Sequence, residues 1–97
     1  MHATRVLVAL AMTFVFGGSA VAAEAPAGAL SCSGCHAANP RAGTPVPPLV
    51  GRSAADIAGQ MIGFKTGKQA GTIMDRIAKG FSDEETQAIA AWYAAQK

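Results

Sequence analysis

The stretch Cys32-Ser33-Gly34-Cys35-His36 has the form C-x-x-C-H, and its reading decides the fold. The spacing has a covalent logic. Two thiols about one helical turn apart can add to the two vinyl groups of a haem, and a histidine directly after them is placed to ligate the iron from one side. Three other readings use parts of the motif. A thioredoxin-like redox pair needs a βαβ framework, and no strand pattern appears in the chain. A structural zinc site needs four ligands, whereas beyond residue 23 the chain offers Cys32, Cys35 and His36 alone, since His2 is the other histidine. A disulfide across so short a loop stabilises little, because its effect grows with loop length.

Composition points the same way. The chain has 97 residues, room for one domain. From Glu24 onward 33 of 74 residues are apolar, but 16 of those 33 are alanine and 15 are larger apolar side chains. A domain of this size rarely builds a sufficient core from side chains alone, and a buried haem supplies large apolar faces. Net charge is +2 for the whole chain, with no basic stripe of the kind nucleic-acid binding requires.

The first 23 residues read as an address. Met1 to Arg5 carries one positive charge, Val6 to Phe16 is an eleven-residue run polar only at Thr13, and Gly17-Gly18-Ser19 breaks it before small residues at 20–23. This is the three-part pattern of a cleaved secretory signal. An apolar run of that length falls short of the roughly 20 residues that span a bilayer. The expected division is a signal over 1–23 and one domain over 24–97, exported to the periplasm with no stable membrane insertion after cleavage; a retained leader acting as an anchor is the alternative.

The domain reads as all-α, three or four short helices wrapped around one covalently bound haem. A short helix runs into Cys32–His36. Residues 39–48 hold four prolines and form an extended loop. Ser53 begins a helix with Ile57, Met61 and Phe64 on one face and Gly67 as its stop. A second short helix is predicted over about 71–79, with Ile73 and Ile77 one turn apart. Ser82-Asp83-Glu84-Glu85 is a capping box that opens a terminal helix to about Gln96, with Ile89, Trp92 and Tyr93 inward. Trp92 and Tyr93 are expected to pack that helix on the first. Leu49, Ile57, Ile73 and Ile77 are expected to line the haem pocket.

A second iron ligand has two candidates, Met61 and Met74. Met61 is in phase with Ile57 and Phe64, where methionine usually fills core space. Met74 lies just ahead of the last helix, far enough along to return over the opposite haem face, so position favours it. Arg52 follows the proline loop and is a candidate partner for a haem propionate; otherwise it is a solvated arginine. Lys65, Lys68, Arg76 and Lys79 read as a solvated face, with steering of a docking partner as the alternative.

Cys32–His36, the proline loop, a methionine before Ser82-Asp83-Glu84-Glu85, and Ala90-Ala91-Trp92-Tyr93-Ala94 together resemble a small class I c-type cytochrome. More narrowly, Gly63-Phe64-Lys65-Thr66-Gly67 followed by residues 72–81 is similar to the haem subunit of flavocytochrome c sulfide dehydrogenase. In that family the Thr-Ile-Met segment carries the axial methionine, so the resemblance implies Met74 as the sixth ligand, and it suggests a loop carbonyl near Pro45 as the acceptor for His36. Pro45 is otherwise a loop former. One departure is that such subunits often carry two haems, whereas this chain has one C-x-x-C-H, which implies a monohaem form or a free relative.

The resemblance implies an electron-transfer protein with haem c, not an enzyme on its own. A flavoprotein partner would oxidise sulfide at FAD and pass electrons singly to this haem, and a downstream cytochrome or oxidase would receive them. The alternatives are a free soluble carrier serving another dehydrogenase or oxidase, a five-coordinate haem protein that binds gas or peroxide, and a haem-free binding or redox module.

Overall fold

The computed structural model describes Gly17 and residues 24–41 and 43–96. The leader expected over 1–23 lies, Gly17 apart, outside the described residues. Four α-helices follow in chain order and no strand occurs among the described residues: α1 (Ala29–Cys32), α2 (Ala54–Thr66), α3 (Met74–Ala78) and α4 (Asp83–Ala95). The all-α reading holds. None of these helices is long and apolar enough to cross a membrane.

The two long helices begin where their caps require. The Ser53 hydroxyl accepts from the Asp56 N–H at 3.1 Å, and Gly67 closes α2 with φ of 81°. Ser82 and Glu85 form the full reciprocal box at the start of α4: the Ser82 hydroxyl accepts from the Glu85 N–H at 3.1 Å, and the Ser82 N–H donates to the Glu85 carboxylate at 3.2 Å. The third helix is shorter than predicted. It starts at Met74 rather than near Gly71, because the Gly71 backbone lies under the Phe64 ring, where an added Cβ would come within 2.9 Å of Cε1.

Helix α2 packs on both α3 and α4. The central cluster is Ala29, Ile57, Ala58, Ile89, Ala90 and Tyr93, so only three large side chains are fully enclosed in it. Ile57, expected on the haem wall, is buried in this core. Leu49, Val50, Phe81 and Trp92 pack around it, half-buried.

Tyr93 joins the ends of the chain. Its side chain is buried, its hydroxyl donates to the Ala29 carbonyl at 2.5 Å, and the Ser33 Oγ lies 2.7 Å away. A phenol has one hydrogen; with that hydrogen on Ala29, Ser33 donates to Tyr93. The Tyr93 carbonyl accepts from the Gly51 N–H at 3.2 Å. α4 is thereby tied to α1 and to the turn before α2, as expected for the pairing of last helix on first. Tyr93→Phe removes both side-chain bonds and strands a buried carbonyl. It is expected to destabilise the haem-loaded protein by about 1–3 kcal/mol, read as a lower urea midpoint with unchanged slope.

Gly28 caps α1 with φ of 83°, and a Cβ there would sit 2.7 Å from Phe81 Cε1. Gly28→Ala therefore meets backbone strain and a ring contact at once. Its expected loss is about 1–3 kcal/mol, and Phe81→Leu in the same chain should recover the part due to the contact but not the part due to φ.

Candidate cofactor site

The motif sits on a tight coil at the end of α1. The Cys32 carbonyl accepts from the Cys35 N–H at 3.2 Å and from the His36 N–H at 2.8 Å, and the Ser31 carbonyl accepts from the Gly34 N–H at 3.2 Å. These bonds carry one turn past the last helical residue and set both thiols and the imidazole on one short coil. Both thiols are free, Cys35 exposed and Cys32 half-buried. Burial pushes the Cys32 thiol up, outweighing the hydrogen bonds that favour its charged form, so it remains an S–H group. Among the described residues no group of three or more His, Cys, Asp or Glu side chains is gathered to hold a metal ion.

His36 is oriented through its outer nitrogen. Nδ1 lies 2.6 Å from the Pro47 carbonyl oxygen. A carbonyl only accepts, so Nδ1 carries the hydrogen and Nε2 is the nitrogen left to ligate. A ligating imidazole is commonly held this way, which fixes the ring and raises its basicity. The acceptor is Pro47, two residues beyond the expected Pro45, which is exposed. The sequence contains a reason. Pro47 precedes Pro48, and a residue before proline is driven to extended backbone, which fixes where its carbonyl points; Pro45 precedes Val46 and has no such restraint.

Met74 is the first residue of α3 and half-buried; Met61 lies in the middle of α2, also half-buried. What separates them is the surface around each. The large apolar side chains that stand exposed among the described residues are Leu30 at 68%, Ile73 at 59% and Ile77 at 39%. Leu30 is two residues before Cys32; Ile73 and Ile77 flank Met74. Apolar surface of this size in water is unfavourable, and here it is confined to the neighbours of the thiols and of Met74. A large flat apolar group held by those residues would cover it, so the donor set and its surroundings fit a haem.

Arg52 is engaged by Asp56, Nη2 to Oδ2 at 2.5 Å, and the second carboxylate oxygen accepts from Gln60 Nε2 at 2.9 Å. A guanidinium has five N–H donors, so this pairing leaves capacity for another anion. The Gln60 hydrogen bond first, and Arg52 next, hold the Asp56 carboxyl below the usual carboxylate range. A depressed folded-state value means that the stabilisation is present above the unfolded value of about 4 and fades as pH falls through and below it. Asp56→Asn is expected to lower the urea midpoint slightly near neutrality, with the difference from the parent shrinking as pH falls below about 4.

Lys65 departs from the solvated-face reading. Its Nζ donates to the Phe81 carbonyl at 2.8 Å and reaches Asp83 Oδ1 at 3.2 Å. Two hollows of about 330 and 510 Å³ lie elsewhere, at the end of α2 and along α4, and neither is lined by the motif or by Met74.

No family model matches the chain. It is 38% identical over 64 residues to the cytochrome subunit of sulfide dehydrogenase of Chlorobaculum tepidum, a match that covers 66% of this chain and 58% of that one. It is 40% identical over 72 residues to the thiosulfate dehydrogenase electron acceptor of Thiomonas intermedia, covering 68% of this chain and 32% of the relative. Over 84 residues it is 32% identical to cytochrome c-554(548) of Halomonas halodenitrificans, covering 82% of this chain and 99% of the relative. The chain thus spans little over half, and about a third, of the first two relatives, and nearly the whole of the third.

Proposed function

The chain belongs to the monohaem c-type cytochromes, and from that premise we propose that residues 24–97, exported to the periplasm and freed of 1–23, carry single electrons away from a flavin-containing sulfide dehydrogenase partner. Membership implies a covalently bound haem, which supplies a one-electron ferric–ferrous couple. The observation that carries the reading is that, among the described residues, the exposed large apolar side chains are Leu30, Ile73 and Ile77, beside Cys32 and Met74.

Each residue then has a defined task. Cys32 and Cys35 would hold the haem covalently, each through a thioether formed by adding its S–H group across a vinyl double bond, which needs no oxidant. His36 offers Nε2 to the iron, with the ring held by Pro47. Met74 would hold the iron through its thioether, and a His/Met pair would raise the reduction potential. With both residues holding the iron, the group would supply electron relay and not substrate chemistry. Arg52 pairs with a propionate through the donors that Asp56 does not use, and Pro45 shapes the loop.

The likeness to the Chlorobaculum subunit supports the sulfide dehydrogenase partner. The Thiomonas relative supports a neighbouring reading in which the donor is a dehydrogenase of another reduced sulfur compound. An affinity pull-down of the mature protein from periplasm decides between them. Flavin and haem eluting together support the sulfide dehydrogenase complex; haem without flavin supports a different donor or a free carrier.

A further inference from the structure

The segment that bears Met74 is weak by itself. α3 has five residues and no side-chain cap at its start, and a helix that short has no stability without tertiary support. Its support comes from the last two turns of α2. At the near end the Gln69 N–H donates to the Gly63 carbonyl at 3.0 Å, and the Phe64 ring covers Gly71. At the far end the one side-chain tie from α2 is Lys65, whose ammonium reaches over to the Phe81 carbonyl and Asp83. Residues 67–81 are thus a loop pinned at both ends to three consecutive residues of one helix, Gly63, Phe64 and Lys65, with Met74 between the pins.

Resting on Met74 as the axial ligand, we infer that Lys65 is the latch of this loop: a positioning residue whose bond to the Phe81 carbonyl keeps Met74 on the iron, and whose loss lets the loop open while the rest of the fold stands. Two features separate the latch from ordinary stabilisation. The pinned carbonyl belongs to the loop's last residue, whose ring packs at the edge of the core, so the bond fixes the loop backbone where it leaves α3 for α4. The ammonium-to-carbonyl bond is charge-assisted and half-buried, whereas the Asp83 carboxylate is largely exposed and contributes less. The carbonyl bond, not the ion pair, is the working part.

The test uses the haem-loaded protein. In the oxidised state the weak near-infrared sulfur-to-iron band reports Met74 on the iron, and far-UV circular dichroism reports the helices. Lys65→Met is expected to raise the fraction of molecules lacking the band about 10-fold or more at a given low urea concentration, and so to separate the band midpoint from the dichroism midpoint. Lys68→Met, an exposed lysine with the same charge change, should leave the two midpoints as in the parent. Lys65→Arg should restore most of the band, and Asp83→Asn should do little. Hydrogen exchange at the Ile77, Gly80 and Phe81 amides should quicken in Lys65→Met while exchange in α4 does not; this readout remains if the band is too weak to follow. Midpoints that move together, or do not move, or loop and α4 amides that quicken equally, overturn the latch. A parent protein that binds haem but lacks the band overturns the Met74 assignment instead, and a parent without haem overturns the proposed function.

Discussion

Replacing Cys32 and Cys35 together with alanine is expected to leave a chain that carries no covalent haem and does not hold the fold. The thioether loss is immediate; the loss of fold follows from the core. Three large side chains, Ile57, Ile89 and Tyr93, are enclosed with three alanines, and Leu30, Ile73 and Ile77 stand in water. Covering those three is worth about 3–5 kcal/mol at their present exposures. A whole small domain is stable by only about 5–15 kcal/mol, and one of this size falls at the low end. The double variant should give weak helical dichroism, a non-cooperative urea profile and a negative pyridine haemochrome assay. A haem-free variant with full helical signal and a sharp transition would show that the cofactor is not part of the core.

Met74→Ala has the second largest expected effect. It should abolish the near-infrared band, let added imidazole bind the iron at concentrations that leave the parent unchanged, and lower the reduction potential by on the order of 0.1 V or more. Met61→Ala lies in mid-α2 and should keep band and potential while losing some stability from packing. The reverse pattern would move the ligand to Met61. A parent already lacking the band, and binding added ligands freely, would favour the five-coordinate reading with gas or peroxide as ligand.

How much of this is legible in the sequence varies with the range of the interaction that fixes it. The bounds of α2 and α4 are local matters: a serine whose hydroxyl takes the N–H three residues on, and a glycine that stops the helix, are written at 53, 67 and 82. The motif at 32–36 is equally local. The start of α3 is not, because the Phe64 ring over Gly71 comes from another helix, and the single Ile73–Ile77 repeat gives no means to place the boundary. The acceptor for His36 was displaced by two residues, and the Pro47-Pro48 pair was the available signal. The bond between Ser33 and Tyr93 joins residues 60 apart, and nothing near either residue announces it. Lys65 likewise reads as one of several surface lysines until α4 is folded beside it.

The central claim is that both thiols of the motif are bonded to one porphyrin. It is tested most directly by mass spectrometry of a tryptic digest of the protein purified from cells that mature c-type cytochromes. The fragment that ends at Arg41 holds Cys32, Cys35 and His36, with no trypsin site between Arg5 and Arg41. The expected result is that fragment with the mass of one haem added, beginning at Glu24. The same fragment with its mass unmodified, or with Cys32 and Cys35 as free thiols or a disulfide, would contradict the account.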